Sequence, residues 1–147
     1  MTRLLALDLG TTTGWAGHDE LGGIRSGSMK FKFSRFEGGG MRFVKFRAWL
    51  REHLAGVDAV YFEAVRRHIG VDAAHAYGGY LGHLTALCEE MSIPYSGVPV
   101  GTIKKSFTGK GNAGKDEMIA ECRRRGFEPA DDNEADAIAI LLMHSDG

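Results

Sequence analysis

The order of hydrophobic patterns along the chain constrains its fold more than any other feature of the sequence. Three strand-like segments come first, then helical and strand-like segments alternate, and helices close the chain. The predicted strands are residues 3–8, 14–17, 24–33, 57–63 and 94–98. The predicted helical segments are residues 41–54, 73–91, 102–107, 115–125 and 130–144. This order predicts an α/β fold in which a mixed five-stranded sheet is flanked by helices.

The length and composition are those of a globular protein. With 147 residues, of which 44% are hydrophobic and 25% charged, we expect residues 1–147 to form a single domain. No apolar run reaches the length of roughly 18 residues that a membrane span requires. Cys88 and Cys122 show no metal-ligand spacing, so we expect both to be core residues. Unpaired thiols are consistent with a cytoplasmic protein.

The charge is unevenly distributed. The formal net charge of −1 counts against a nucleic-acid-binding protein, for which a basic balance is usual. Between Lys30 and Arg51, however, seven lysines and arginines face a single acid, Glu37. A second basic group extends from Lys104 to Lys115. The sequence therefore predicts two local basic surfaces.

Two acids stand at the ends of buried strands. Asp8 ends the first predicted strand and Glu63 ends the fourth. Ligands gather at the carboxyl ends of parallel strands, and neighbouring strands lie about 4.8 Å apart, so these carboxylates would converge if the two strands are neighbours. Two such acids repel each other unless a cation lies between them. Hard divalent ions such as Mg²⁺ prefer oxygen ligands of this kind.

A third acid lies inside the last predicted helix. Asp131 and Asp132 head this helix, and capping with dipole compensation explains both. Asp136 lies further in, among apolar residues that should be buried, so capping does not explain it. Asp132 and Asn133 precede it by four and three residues and share its helical face.

These segments resemble, in order, the motifs of the RuvC family of Holliday junction resolvases, which belong to the RNase H-like superfamily. The matching segments are residues 6–16 (ALDLGTTTGWA), 61–63 (YFE), 104–115 (KKSFTGKGNAGK) and 134–139 (EADAIA). The resemblance spans almost the whole chain and extends to phage-encoded relatives. It implies a Mg²⁺-dependent endonuclease that resolves four-way junctions by paired phosphodiester hydrolysis, and it is consistent with a bacterial or phage origin.

The resemblance also implies roles for individual residues. Asp8, Glu63 and Asp136 would bind two Mg²⁺ or Mn²⁺ ions. The family carries a further acid or a histidine where this chain has Asn133, so either Asn133 or the adjacent Asp132 would be the fourth ligand. Lys115 would face the scissile phosphate and Lys104 would bind the DNA backbone. Lys105 and Lys110 belong to the same predicted DNA contact.

The loop after the second acid contains Arg66, Arg67 and His68. In RuvC proteins this loop reaches into the junction, often with an aromatic residue that stacks on a base. Basic and histidine side chains replace that aromatic here, and we expect them to contact DNA. A family dimer would place one active site on each cut strand. The glycine-rich face of residues 73–91 is our candidate dimer interface.

Three alternative functions stay open from the sequence. The same fold could cut RNA–DNA hybrids, as RNase H does, or branched DNA in general. Residues 8–12 (DLGTT) also resemble the phosphate loop of the actin-like ATPases, although a second phosphate motif is missing. A non-catalytic junction-binding protein is the third alternative. Cleavage, ATP hydrolysis and metal binding would separate these functions.

Overall fold

The computed structural model describes residues 2–66, 68 and 70–145. The strands are β1 (Leu4–Asp8), β2 (Thr12–His18), β3 (Ile24–Lys30), β4 (Ala59–Ala64) and β5 (Tyr95–Pro99). The helices are α1 (Met41–Leu54), α2 (Val71–Glu90), α3 (Val100–Thr108), α4 (Lys115–Arg124) and α5 (Asp132–His144). Among these residues, no helix combines the length and the apolar character needed to cross a bilayer.

The five strands form one mixed sheet in the order β3-β2-β1-β4-β5. β1 and β3 are antiparallel to β2, whereas β4 is parallel to both β1 and β5. The predicted α/β fold with a mixed five-stranded sheet is therefore confirmed. In the parallel pair, Leu7 lies opposite Phe62, and this register carries the next residues, Asp8 and Glu63, to the same edge of the sheet.

Helices cover both faces of the sheet. Leu5 and Leu7 pack into a core on the side of α1 and α2. Leu4 and Ala6 pack into a second core with α3, α4 and α5. Because successive side chains of a strand point to opposite faces, a strand between two cores must be apolar throughout. This explains why β1 carries four consecutive hydrophobic residues before its acid. Cys88 and Cys122 are buried, as expected.

Some element bounds differ from the predicted ones. The predicted turn at residues 102–107 is a helix of nine residues, Val100–Thr108. β3 ends at Lys30 rather than at residue 33, and one further hydrogen bond in the same register, from the amide of Phe31 to Thr11 O, follows its last residue. α5 begins at Asp132 because the carboxylate of Asp131 accepts the amide N–H of Glu134 and so ends the preceding loop.

Candidate metal centre

Three carboxylates meet at the edge of the sheet where β1 and β4 end. Asp8, Glu63 and Asp136 each offer an oxygen, and these oxygens all lie within 4.8 Å of one another. Asp8 and Glu63 are 9% and 8% exposed, and Asp136 is half-buried in the second turn of α5. The convergence expected from two strand ends and one late helix is therefore present.

A glycine in β2 allows α5 to approach this edge. A Cβ atom at Gly14 would lie 1.9 Å from the carbonyl oxygen of Asn133 and 2.7 Å from the amide nitrogen of Glu134. No other residue fits there without moving the helix. The first turn of α5 is thus packed directly on the β2 backbone, which places Asp136 beside β1.

Two serines of β3 fix the same turn of α5. The hydroxyl of Ser26 donates to the buried carboxylate of Glu134 at 2.6 Å. That of Ser28 donates to Asp131, also at 2.6 Å. Glu134 also accepts the amide N–H of Ala130. These serine hydrogen bonds were not predicted from the sequence. The contact at Gly14 was not predicted either, although a glycine inside a strand is a known sign of close backbone approach.

The electrostatics of the three acids favour a bound cation. Burial, then the charges of Glu63 and Asp136, raise the pKa of Asp8 well above its ordinary value. Burial and the charge of Glu63 raise the pKa of Asp136 to about 7, which Lys104 partly opposes. Carboxylates held together in this way repel each other, and a divalent ion with oxygen ligands would relieve the repulsion. The donor set therefore fits Mg²⁺ or Mn²⁺.

The two candidates for a fourth ligand lie in different surroundings. The negative charge of Asp132 contributes to the raised pKa of Asp136, so this carboxylate is electrostatically coupled to the centre. Its Oδ2 lies 3.8 Å from Lys115 Nζ. Asn133 is half-buried, with its backbone against Gly14. The negative charge of Asp132 favours it as the fourth metal ligand. That either Asp132 or Asn133 is this ligand stays a prediction.

The predicted lysines surround the start of α5 unequally. Lys104, in α3, is half-buried and close enough to lower the pKa of Asp136. Lys115, the first residue of α4, is exposed beside Asp132. Lys105 is exposed in α3, whereas Lys110 pairs with Glu117 at 3.0 Å. Lys104 and Lys115 thus lie beside the acidic centre, whereas Lys110 pairs with an acid of α4.

The loop after β4 differs from a simple basic arm. Arg66 is exposed, and Arg67 lies outside the described residues. His68 is half-buried, with its ring centroid 5.0 Å from that of Tyr77. The hydroxyl of Tyr77 in turn donates to the carbonyl oxygen of Glu63 at 2.7 Å. His68 therefore packs on the tyrosine that binds the backbone of Glu63, and its contact with DNA stays a prediction.

Comparisons with known proteins agree with the geometry. No family model matches the chain. Over 91 residues it is 34% identical to the crossover junction endodeoxyribonuclease RuvC of Anaeromyxobacter dehalogenans strain 2CP-C, and this match covers 61% of the chain and 46% of the relative. RuvC of Anaeromyxobacter sp. strain K is 33% identical over a match with the same coverage. The matched region therefore spans about half the length of these relatives.

Two solved structures share the fold. RuvC of T. thermophilus in complex with a Holliday junction substrate superposes with a TM-score of 0.78 at 23% identity, over 98% of this chain and 93% of that one. The yeast mitochondrial Holliday junction resolvase gives a TM-score of 0.62 at 13% identity, over 97% and 77% of the two chains. At these identities the likeness establishes the fold and leaves the activity to be argued from the site.

Proposed function

We propose that this chain, which is RuvC-like in sequence and in fold, is a metal-dependent endonuclease that resolves four-way DNA junctions. The observation that carries the proposal is the meeting of Asp8, Glu63 and Asp136 within 4.8 Å at one edge of the sheet. The sequence match to crossover junction endodeoxyribonucleases supports the same reaction. We further propose that residues 1–147 form one nuclease domain that acts in the cytoplasm.

In this proposal Asp8, Glu63 and Asp136 bind two Mg²⁺ or Mn²⁺ ions, with Asp132 or Asn133 as a further ligand. When bound, such a pair of ions would supply an activated water and charge stabilisation at the leaving oxygen for phosphodiester hydrolysis. The protein contributes rigid placement, because two strand ends and a helix packed on Gly14 hold the ligands. Lys115 contributes a positive charge where the scissile phosphate would lie.

The DNA backbone would be bound by basic residues around this centre. Lys104, Lys105 and Lys110 extend the positive surface along α3 and the loop that follows it. Arg66, Arg67 and His68 form the second group, after β4. Contacts to phosphate position a nuclease without reading sequence, which suits an enzyme that recognises the shape of its substrate.

The test is cleavage of a labelled four-way junction, a duplex and an RNA–DNA hybrid with Mg²⁺. We expect paired cuts in the junction and little cleavage of the other substrates. Asp8→Asn and Glu63→Gln should reduce the rate at least 100-fold, whereas Glu128→Gln, at an exposed position in the loop before α5, should not. Preferential cleavage of the hybrid would support the RNase H alternative, and ATP hydrolysis without nuclease activity would support the actin-like one.

We also propose that the chain acts as a homodimer. On α2, Gly79 packs against the ring of Phe43 in the same chain, since a Cβ at this position would lie 2.5 Å from that ring. Gly78 and Gly82 are exposed, and an added Cβ at either would meet nothing within 4 Å. We expect sedimentation at micromolar concentration to give a dimer that Gly82→Leu dissociates. A wild-type monomer, or a dimer indifferent to Gly82→Leu, would contradict this interface.

A further inference from the structure

The loop between β3 and α1, residues 31–40, carries exposed aromatic side chains that the nuclease centre does not use. Phe36 is 86% exposed and Phe33 is 45% exposed. An isolated exposed apolar residue needs no explanation, but two phenylalanines on a short loop with a common charge environment do. We call residues 31–40 the aromatic loop.

Cations flank both rings. The guanidinium carbon of Arg35 lies 4.8 Å from the centroid of Phe36. That of Arg42 lies 5.9 Å from the centroid of Phe33 and 4.8 Å from that of Phe43. The Nε of Arg42 is buried and has no hydrogen-bond partner among the described residues. Flat rings and guanidinium groups placed together form a surface on which a planar, electron-rich group can stack.

The aromatic loop is held in place by its own hydrogen bonds. The carboxylate of Glu37 accepts the amide N–H of Ser34 at 2.7 Å and lies 3.1 Å from Lys45 Nζ. Lys45 also donates to the carbonyl oxygen of Lys32 at 2.8 Å. Glu37 is the one acid of this loop, and its charge is paired with that of Lys45. The charges of Lys32 and Arg35 therefore leave the rest of the loop positive.

The aromatic loop lies at the same edge of the sheet as the metal centre. β3 is antiparallel to β2, and β2 is antiparallel to β1, so β3 ends at the edge where β1 ends with Asp8. The amide of Phe31 donates to the carbonyl oxygen of Thr11 at 2.7 Å, which joins the aromatic loop to the turn that follows Asp8. The loop that carries Phe36 therefore starts at the edge of the sheet where a DNA strand would be cut.

We propose that Phe36, supported by Phe33 and flanked by Arg35 and Arg42, stacks on an unpaired base of branched DNA beside the cleavage site. The inference rests on the proposed nuclease function and names the feature of the substrate that is recognised. Duplex DNA presents its bases stacked and inaccessible, whereas a branch point offers bases with an open face. Among the residues that the structure describes, the ring of His68 in the loop after β4 packs on Tyr77, whereas the rings of Phe36 and Phe33 are exposed.

The test measures binding in EDTA, so that affinity is independent of cleavage. A four-way junction with 2-aminopurine at the crossover is compared with a duplex of the same sequence by anisotropy and by base fluorescence. Phe36→Ala should weaken junction binding by about 5- to 150-fold, the equivalent of about 1–3 kcal/mol of stacking, and leave duplex binding unchanged. It should also restore the 2-aminopurine emission that the wild-type protein quenches. Phe36→Trp should retain affinity and quenching.

Leu21→Ala is the matched control, because Leu21 is 97% exposed in the turn between β2 and β3, at the opposite edge of the sheet. Equal affinity of Phe36→Ala and wild type for the junction, or an equal loss on junction and duplex, would overturn the proposal. So would a wild-type protein that binds the junction no more tightly than the duplex. Junction binding that depends on Phe36, without cleavage in Mg²⁺, would refute the nuclease function and leave the stacking surface standing.

Discussion

Asp136 gives the metal-free protein a measurable dependence on pH. Its pKa is raised from 3.8 to about 7 in the folded chain, by burial first and then by the charge of Glu63. Between these values the folded chain binds more protons than the unfolded chain, so this group lowers the free energy of unfolding as pH rises from about 4 to 7. In EDTA at pH 7.5 we expect Asp136→Asn to have a higher melting temperature than wild type, with the difference vanishing near pH 4.

With Mg²⁺ at pH 7.5, the wild type should have a higher melting temperature than Asp136→Asn. Because the ion binds the folded chain, it should raise the melting temperature of the wild type at pH 7.5, and much less at pH 5, where protons compete for the carboxylates. Asp136→Asn should lose most of this gain, whereas Glu128→Gln should keep it. Parallel pH profiles for wild type and Asp136→Asn would contradict a raised pKa of Asp136 in the folded chain.

The absence of a side chain at Gly14 should be essential for the stability of the fold. In Gly14→Ala the new Cβ would lie 1.9 Å from a backbone oxygen of α5, so the helix must move. We expect a loss of about 3 kcal/mol or more in urea unfolding, the upper part of the range for overpacked cores. Gly101→Ala is the control, since its Cβ would lie 3.8 Å from the nearest atom, an ordinary contact in helix α3. Equal stability of the two variants would contradict the packing role of Gly14.

At the scale of elements, α5 is positioned by β3 through side-chain hydrogen bonds. Ser26→Ala leaves a buried oxygen of Glu134 without its hydroxyl donor, so we expect a loss of about 1.5–3 kcal/mol, the range for bonds to charged groups. The Mg²⁺ concentration needed for half-maximal cleavage should rise as well, because Asp136 lies on the same helix. Ser106→Ala, at an exposed position of α3, should change neither quantity. A Ser26→Ala protein with normal stability and normal metal dependence would contradict this coupling.

The elements show which parts of the structure the sequence could predict. α1 was predicted over residues 41–54 and begins and ends there, because its apolar residues recur at helical spacing and three consecutive glycines precede it. Asp8 and Glu63 were predicted to converge because hydrophobic strands end at both acids. The position of α5 over β2 depends instead on Gly14 and the serines of β3, whose partners lie more than 100 residues away along the chain. Local patterns do not encode such contacts, and neither do they encode the packing of His68 on Tyr77.

At the scale of the whole molecule, charge is segregated rather than balanced. Within a net charge of −1, three acids meet at the metal centre and basic residues lie at its margins: Lys104, Lys105 and Lys115 on one side and the aromatic loop on the other. A cation bound by the acids would neutralise part of the repulsion that a DNA phosphate meets at the centre. Metal and DNA should therefore bind cooperatively. This expectation follows from where the charges lie and not from the net charge.

This distribution predicts a steep salt dependence for DNA binding. Each phosphate contact adds about 0.9 to the slope of log affinity against log salt, because binding releases a condensed counterion. Substituting Lys104, Lys105 and Lys110 by alanine together should lower that slope by up to about 2.7, whereas Arg123→Ala, in the last turn of α4 and paired with Glu128, should leave it unchanged. Anisotropy titrations from 50 to about 300 mM salt measure it, since this range spans the steep part of such profiles. A flat profile for the wild type would mean that the basic margins do not contact the DNA backbone. An unchanged slope in the triple variant would exclude these three lysines and leave the contact to the other basic groups, namely Lys115, the residues after β4 and the aromatic loop.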